Sequence, residues 1–287
     1  MRRLIINADD FGLTGGVNRA VVEGHQHGVV TSSTLMANGP AFEEAVRLAP
    51  SAPRLSIGCH VVLVDGSPVL EAAQVSSLMG GTGLLRFGDG IGKFCLRALA
   101  GRLDSNQIEA EVTAQIRKLQ AAGITVSHLD THKHTHMLPQ VFRPLLRAAR
   151  VCGVRAVRNP FDLVRISLAA RRPGLWRRYG EVKLLRNLVG KFQKAARDAG
   201  VIAPDGTLGI AVTGVLDERL FRLIIDKLPE GTWEFVCHPG YNDAELDGVR
   251  TRLRESREQE LWVLKSPETR DLLAHSGIEL ISYRDLG

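Results

Sequence analysis

Aromatic residues make up only 5% of this 287-residue chain, and its four cysteines are scattered. Cys59, Cys95, Cys152 and Cys237 form no C-x-x-C pair, so neither a disulfide framework nor a thiolate zinc site is expected. No apolar run approaches the roughly 20 residues that a membrane-spanning helix needs. No G-x-G-x-x-G follows the first strand-like segment, which removes the dinucleotide-binding reading. Met1-Arg2-Arg3-Leu4-Ile5-Ile6-Asn7 runs directly into a strand-like stretch and leaves no room for a secretion signal, so a cytoplasmic location is expected.

What the chain does have is a regular alternation of strand-like and helix-like stretches. Strands are expected near 3–7, 29–37, 55–63, 126–130, 154–158, 208–212, 233–238 and 278–283. Helices are expected at 18–27, 41–48, 105–122, 140–152, 217–227 and 256–275. Roughly eight βα units point to an α/β fold, a single-domain irregular (β/α) barrel of parallel strands over 1–287, TIM-barrel-like or seven-stranded. Two segments interrupt the rhythm. Residues 65–93 are Gly-rich and read as a loop over a site. Residues 165–198 form a basic insert.

Between Arg165 and Arg197 there are ten basic residues against one acid, Glu181, a local charge of +9. Because the whole chain is +6, the remainder is about −3, and basicity is a local feature. Leu184, Leu185, Leu188, Val189 and Phe192 fall at helical spacing inside this segment. It reads either as a cationic amphipathic helix resting on an anionic membrane or as a surface helix with a solvated basic face. Nucleic-acid binding is not expected, since few aromatics are present for base stacking.

Active sites of parallel α/β folds lie where strands end, so polar residues at strand ends carry the functional reading. The first strand ends in Asp9-Asp10, the third in His60, the fourth in His128-Leu129-Asp130-Thr131-His132-Lys133-His134-Thr135-His136, and the seventh in His238. Alone, each has a plain explanation: a turn, a satisfied core histidine, a solvated cluster. Five ionisable groups alternating from His128 to His136 would share one face for as long as the strand lasts. Together the four strand ends assemble a site. Imidazole and carboxylate suit one divalent metal ion (Zn²⁺, Mg²⁺ or similar), and a second carboxylate beside a ligand can act as general base.

Ala8-Asp9-Asp10-Phe11-Gly12, Gly58-Cys59-His60, the 128–139 block and Cys237-His238-Pro239-Gly240 resemble the signature blocks of the YdjC/ChbG-like carbohydrate deacetylases. The resemblance implies a barrel that removes the acetyl group from an N-acetylated amino sugar. It implies metal ligation by Asp10, His60 and His132, with Asp9 as base and His238 as acid or oxyanion-side group. His128, Asp130, His134, His136, Asn38 and Arg158 are expected to support that shell or touch substrate. The 29–40, 211–217 and 232–234 segments resemble the hopanoid-biosynthesis-associated, HpnK-like branch. That branch implies a lipid-linked N-acetylglucosaminyl substrate, with peripheral contact at the inner membrane face through 165–198. A homodimer is compatible with this reading. The rivals are a chito-oligosaccharide deacetylase, another metal-dependent sugar hydrolase, and a non-catalytic sugar- or lipid-binding barrel with a structural metal. The last would need a closed shell of four protein ligands.

Overall fold

The computed structural model describes residues 1–80, 85–88, 90–162 and 188–286. Seven strands form one sheet in which all strand pairs are parallel: β1 (Arg2–Phe11), β2 (Ser32–Leu35), β3 (Ser56–Val61), β4 (Leu129–Thr131), β5 (Gly206–Leu208), β6 (Gly231–Cys237) and β7 (Ile278–Ile281). The order is β4-β3-β2-β1-β6-β5, with β7 also paired to β1. The residues around 155–162 bridge in parallel to both sides, Leu129 with Val157, Ala156 with Ile202 and Asp162 with Thr207. The sheet therefore curls round on itself, and its last gap is spanned by single bridges instead of a full strand.

β1 is the hub. Leu4, Ile5, Ile6 and Ala8 are all fully buried, as expected for a parallel strand covered on both faces. The helices pack outside the sheet. α1 (Gly15–Gln26) starts where the Thr14 hydroxyl accepts the Val17 amide. α4 (Ser105–Ala121) buries Ile108, Val112, Ile116 and Leu119 beside α5 (Pro139–Cys152), which buries Val141, Leu145 and Ala149. Each such Leu, Ile or Val contributes on the order of 1.5–3 kcal/mol on leaving water. Pro139 opens α5 and Gly153 closes it at φ 73°, a left-handed position that glycine occupies without cost.

Register places the chemistry. Ala8 pairs with Cys237, so the next residues, Asp9 and His238, emerge side by side. His60 pairs with Asp130 across β3 and β4. One rim of the barrel therefore receives all four strand ends.

Several expectations are corrected. The helix expected over 256–275 is two helices, Glu255–Lys265 and Pro267–His275. Pro267 has no amide hydrogen to continue the first, while the Ser266 hydroxyl caps the second by accepting from Thr269. The strand expected over 208–212 stops at Leu208, because Gly209 at φ 96° turns the chain into a single 3₁₀ turn. The Gly-rich segment holds a 3₁₀ run, Ala72–Leu78, and leads into α3 (Ile91–Leu99). The two-residue alternation fails after Thr131, because His132–Met137 is a 3₁₀ segment with Lys133 and His134 at φ 57° and 52°. Residues 165–187 of the basic insert lie outside the described residues. The described remainder forms α6 (Val189–Asp198), whose Phe192 is buried and stacked on Phe142 at 4.1 Å. Its apolar face is thus covered by the protein itself.

Candidate active site

In a regular strand, Asp9 and Asp10 would point to opposite faces. Asp10 instead takes φ 68°, and the register with β2 slips between Ala8 and Phe11. This bulge brings both carboxylates into one cleft. A non-glycine residue in the left-handed region is uncommon, and such outliers gather at functional sites.

Asp10 Oδ1 lies 3.4 Å from His60 Nε2 and 3.4 Å from His132 Nδ1, and the two histidine nitrogens are 3.3 Å apart. Ligands about 2.0–2.1 Å from one tetrahedrally coordinated ion stand at about that mutual spacing. Asp10 Oδ1 is buried and has no hydrogen-bond partner. The other oxygen, Oδ2, accepts from the fully buried Arg257 at 2.6 Å, which fixes Oδ1 towards the histidines. Burial pushes the Asp10 pKa up, but Arg257 and the two histidines hold it well below the usual carboxylate range. His60 Nδ1 faces Asp130 Oδ1 at 2.8 Å, so Asp130 fixes the ring and leaves Nε2 facing the cleft. Burial lowers the His60 pKa, yet Asp130 and Asp10 outweigh it and raise the value to about 10. An orphaned carboxylate oxygen facing a cationic imidazole is what a cation site looks like when a proton stands in for the ion. The residues fit a divalent metal.

Asp9 is held differently. Arg158 Nη1 and Nη2 donate to its two oxygens at 2.8 and 2.6 Å, and Asn7 donates to Oδ1 at 2.9 Å. Burial raises the Asp9 pKa, but the guanidinium overrides it and keeps the group ionised. Arg158, itself without exposure, also pairs with Asp130 and with Glu234 at 2.7 Å. Glu234 in turn accepts from the Tyr283 hydroxyl at 2.6 Å, and burial pushes its pKa up. His128 sits behind the site. It stacks on Tyr283 at 3.6 Å and meets Asn7 at 3.1 Å, and burial lowers its pKa well below the ordinary value, so it is neutral. Its contribution is to hold Asn7 and thereby Asp9.

His238 Nε2 stands 3.8 Å from Asp9 Oδ2 on the cleft wall. Its backbone amide donates to Glu260 at 2.6 Å, and its buried Nδ1 stands 4.0 Å from the same carboxylate oxygen without a hydrogen bond. His134 lines the cleft, and burial brings its pKa down to about 3. His136 does not line the cleft; it faces a separate cavity. The Asn38 amide donates to the Ser67 carbonyl at 2.6 Å, while Oδ1 has no partner at the cleft edge. The cleft holds about 770 Å³, and Arg86, Lys133, Arg250 and Arg252 stand along it. Of the expected site residues, Asp9, Asp10, His60, His132, His134, His238 and Asn38 line this one space. Asp130, Arg158 and His128 support it from beneath.

Sequence reading missed Arg257, Glu260, Glu234, Tyr283 and Thr34. Thr34 contacts Asp9 at 3.3 Å, His60 at 3.1 Å and Asp130 at 3.2 Å. Glu234 on β6 was detectable in principle as a lone acid inside an apolar strand, Trp233-Glu234-Phe235-Val236. Arg257 and Glu260 carry no local signal, because they reach the site from a helix that begins beyond the last rim strand.

A parallel barrel with three metal-competent donors and a clamped carboxylate at its carboxyl rim defines the class: a (β/α)-barrel protein with a candidate metal centre. The chain belongs to the YdjC-like protein family, whose pattern matches residues 3–275. It is 35% identical over 286 residues to the carbohydrate deacetylase of Geobacillus stearothermophilus, covering 99% of this chain and 98% of that one. The corresponding enzyme of Brevibacillus brevis is 33% identical, over 99% and 100% of the two chains. A crystal structure from Enterococcus faecalis, whose name suggests cellobiose-phosphate cleavage, superposes with a TM-score of 0.79 at 26% identity, covering 98% of this chain and 97% of that one.

Proposed function

We propose that this chain is a divalent-metal-dependent carbohydrate deacetylase acting on an N-acetylglucosamine-type sugar. The observation that carries this reading is the orphaned Asp10 Oδ1 facing His60 and His132 across 3.4 Å, with Asp9 and His238 on the open side. Asp10, His60 and His132 would hold the ion (Zn²⁺, Mg²⁺ or similar). A divalent ion in such a site polarises the acetamide carbonyl and acidifies water. Three protein donors facing an open cleft favour a catalytic over a purely structural site.

Asp9 takes the proton of the attacking water. Arg158 fixes both its oxygens, so the base needs no reorganisation when charge moves. The same clamp keeps Asp9 ionised, the form that can accept a proton. His238 Nε2, 3.8 Å from Asp9, delivers a proton to the departing amine nitrogen. Asn38 and His134 line the cleft where the sugar would lie.

The finer reading is a lipid-linked N-acetylglucosaminyl substrate of the hopanoid type, met at the inner membrane face. Its support is the likeness of the 29–40, 211–217 and 232–234 segments together with the ten basic residues of the insert. No helix of the described residues is long and apolar enough to cross a membrane. α6 itself turns its apolar Phe192 and Ala196 into the protein and not outward. Acetate release from an N-acetylglucosaminyl lipid and from chitobiose, measured side by side, tests this. Faster release from the lipid is expected. Faster release from chitobiose would remove the lipid assignment and leave the deacetylase.

A further inference from the structure

α3 is apolar on both sides. Phe94 and Ala98, one turn apart, are buried against the protein. Leu96 and Leu99, three residues apart on the opposite side, are 69% and 68% exposed. A surface helix ordinarily turns charged and polar side chains to water. Leu85, in the strand-like stretch just before the helix, is 76% exposed. Arg97 ties that stretch to α3: its guanidinium donates to the Met79 carbonyl at 3.1 Å, and Met79 bridges Phe87. Three of the four exposed leucines among the described residues thus gather between positions 85 and 99. Single exposed leucines are ordinary, whereas a cluster of them marks a contact surface.

Charge adds to this. Between Ala72 and Leu103 the sequence sets Arg86, Lys93, Arg97 and Arg102 against a single acid, Asp89. Outside the 165–197 segment the chain as a whole is acidic, so this stretch reverses the local trend. Lys93 and Arg102 are exposed at the two ends of α3. The face also begins at the catalytic cleft. Arg86 lines the cleft, and the amide of Gly90, the residue before α3, donates to Asp65 Oδ1 at 2.9 Å. Asp65 lines the cleft as well and pairs with Lys133, next to His132.

We propose that the outer face of α3, together with Leu85, is a docking surface for an anionic lipid bilayer. Leu85, Leu96 and Leu99 enter the boundary between headgroups and acyl chains, while Lys93 and Arg102 lie among the headgroups. A bilayer takes apolar side chains and cations spread over one surface and needs no walled pocket. A second copy of this chain on the same face would set like cations against each other. Docking here holds the cleft edge at the level of the headgroups, where the sugar of a lipid-linked substrate stands; in this it rests on that reading of the substrate.

The test is co-sedimentation of the full-length, metal-loaded chain with vesicles of equal parts phosphatidylcholine and phosphatidylglycerol, and with phosphatidylcholine alone. Binding to the mixed vesicles is expected, weaker on the neutral ones and weaker at high salt. Lys93→Glu/Arg102→Glu should weaken it by about tenfold or more, since each basic residue at an anionic surface contributes about fivefold. Leu96→Gln/Leu99→Gln should weaken it by about tenfold or more as well. All four positions are on the surface, so both variants should keep the thermal midpoint of the unaltered protein. No binding of the unaltered protein to the mixed vesicles would overturn the proposal, and so would binding that either variant leaves unchanged. A dimer that the leucine pair dissolves would overturn it too, by giving the face to a second copy. Because no turnover is measured, a chain that docks but releases no acetate from any sugar keeps this surface and loses the proposed function.

Discussion

Arg158 grips both carboxylate oxygens of Asp9, at 2.8 and 2.6 Å, while also pairing with Asp130 and Glu234. One guanidinium thus serves three buried acids, and through Asp130 it also reaches His60. The proposed base and the proposed metal shell share a single cationic anchor.

Replacing Arg158 by Ala removes the one guanidinium shared by Asp9, Asp130 and Glu234. Removing one partner of a buried ion pair costs about 3–5 kcal/mol. A fall in thermal midpoint of many degrees is expected, measured by calorimetry. A fall of only a degree or two would show that the acids are neutralised by other means.

Asp9 and His132 should separate by phenotype. Asp9→Asn is expected to keep bound metal near the unaltered level while losing at least 100-fold in turnover. His132→Ala should lose metal and activity together. Elemental analysis beside acetate release distinguishes them, and an active Asp9→Asn protein would remove Asp9 as the base.

Arg257 should matter to metal affinity although it touches no ligand nitrogen. It holds Asp10 Oδ2 at 2.6 Å, and without it Oδ1 is free to turn away. Loss of such an orienting partner costs about 10–100-fold in metal affinity. Competition with a chelator should read this in Arg257→Gln, and unchanged affinity would show that Asp10 is oriented by the backbone alone.

His60 gives a pH dependence whose sign is fixed by its raised pKa of about 10. In metal-free protein, its pairing with Asp130 and Asp10 contributes stability that is full below the ordinary value of 6.5 and lost as pH rises through about 10. The metal-free midpoint should therefore fall across that window. Metal uptake displaces the same proton, so it should release a proton and tighten with pH there. Uptake without proton release would place His60 outside the ligand set.

The strand ends were legible because chain polarity and period alone put Asp9, Asp10, His60, Asp130 and His238 at one rim. The Asp9–Asp10 geometry was not, since alternation predicts opposite faces and only the φ 68° bulge at Asp10 reverses that. The 128–136 alternation misled in the other direction. Left-handed Lys133 and His134 end the strand early, turning His136 towards its own cavity while His132 stays in the cleft. Arg257 and Glu260 were invisible because they arrive from distant sequence, on a helix packed across the rim. The basic segment read as amphipathic with an open partner. For α6, that partner is Phe142 and Phe161 of the same chain.

Asp10, His60 and His132 are proposed to hold the ion on which deacetylation depends. Acetate release from N-acetylglucosamine oligomers or lipids, before chelation, after chelation and after return of a divalent metal, tests it most directly. Release, its loss and its recovery are expected in turn, with His132→Ala failing to recover. Undiminished release from fully metal-depleted protein would contradict it.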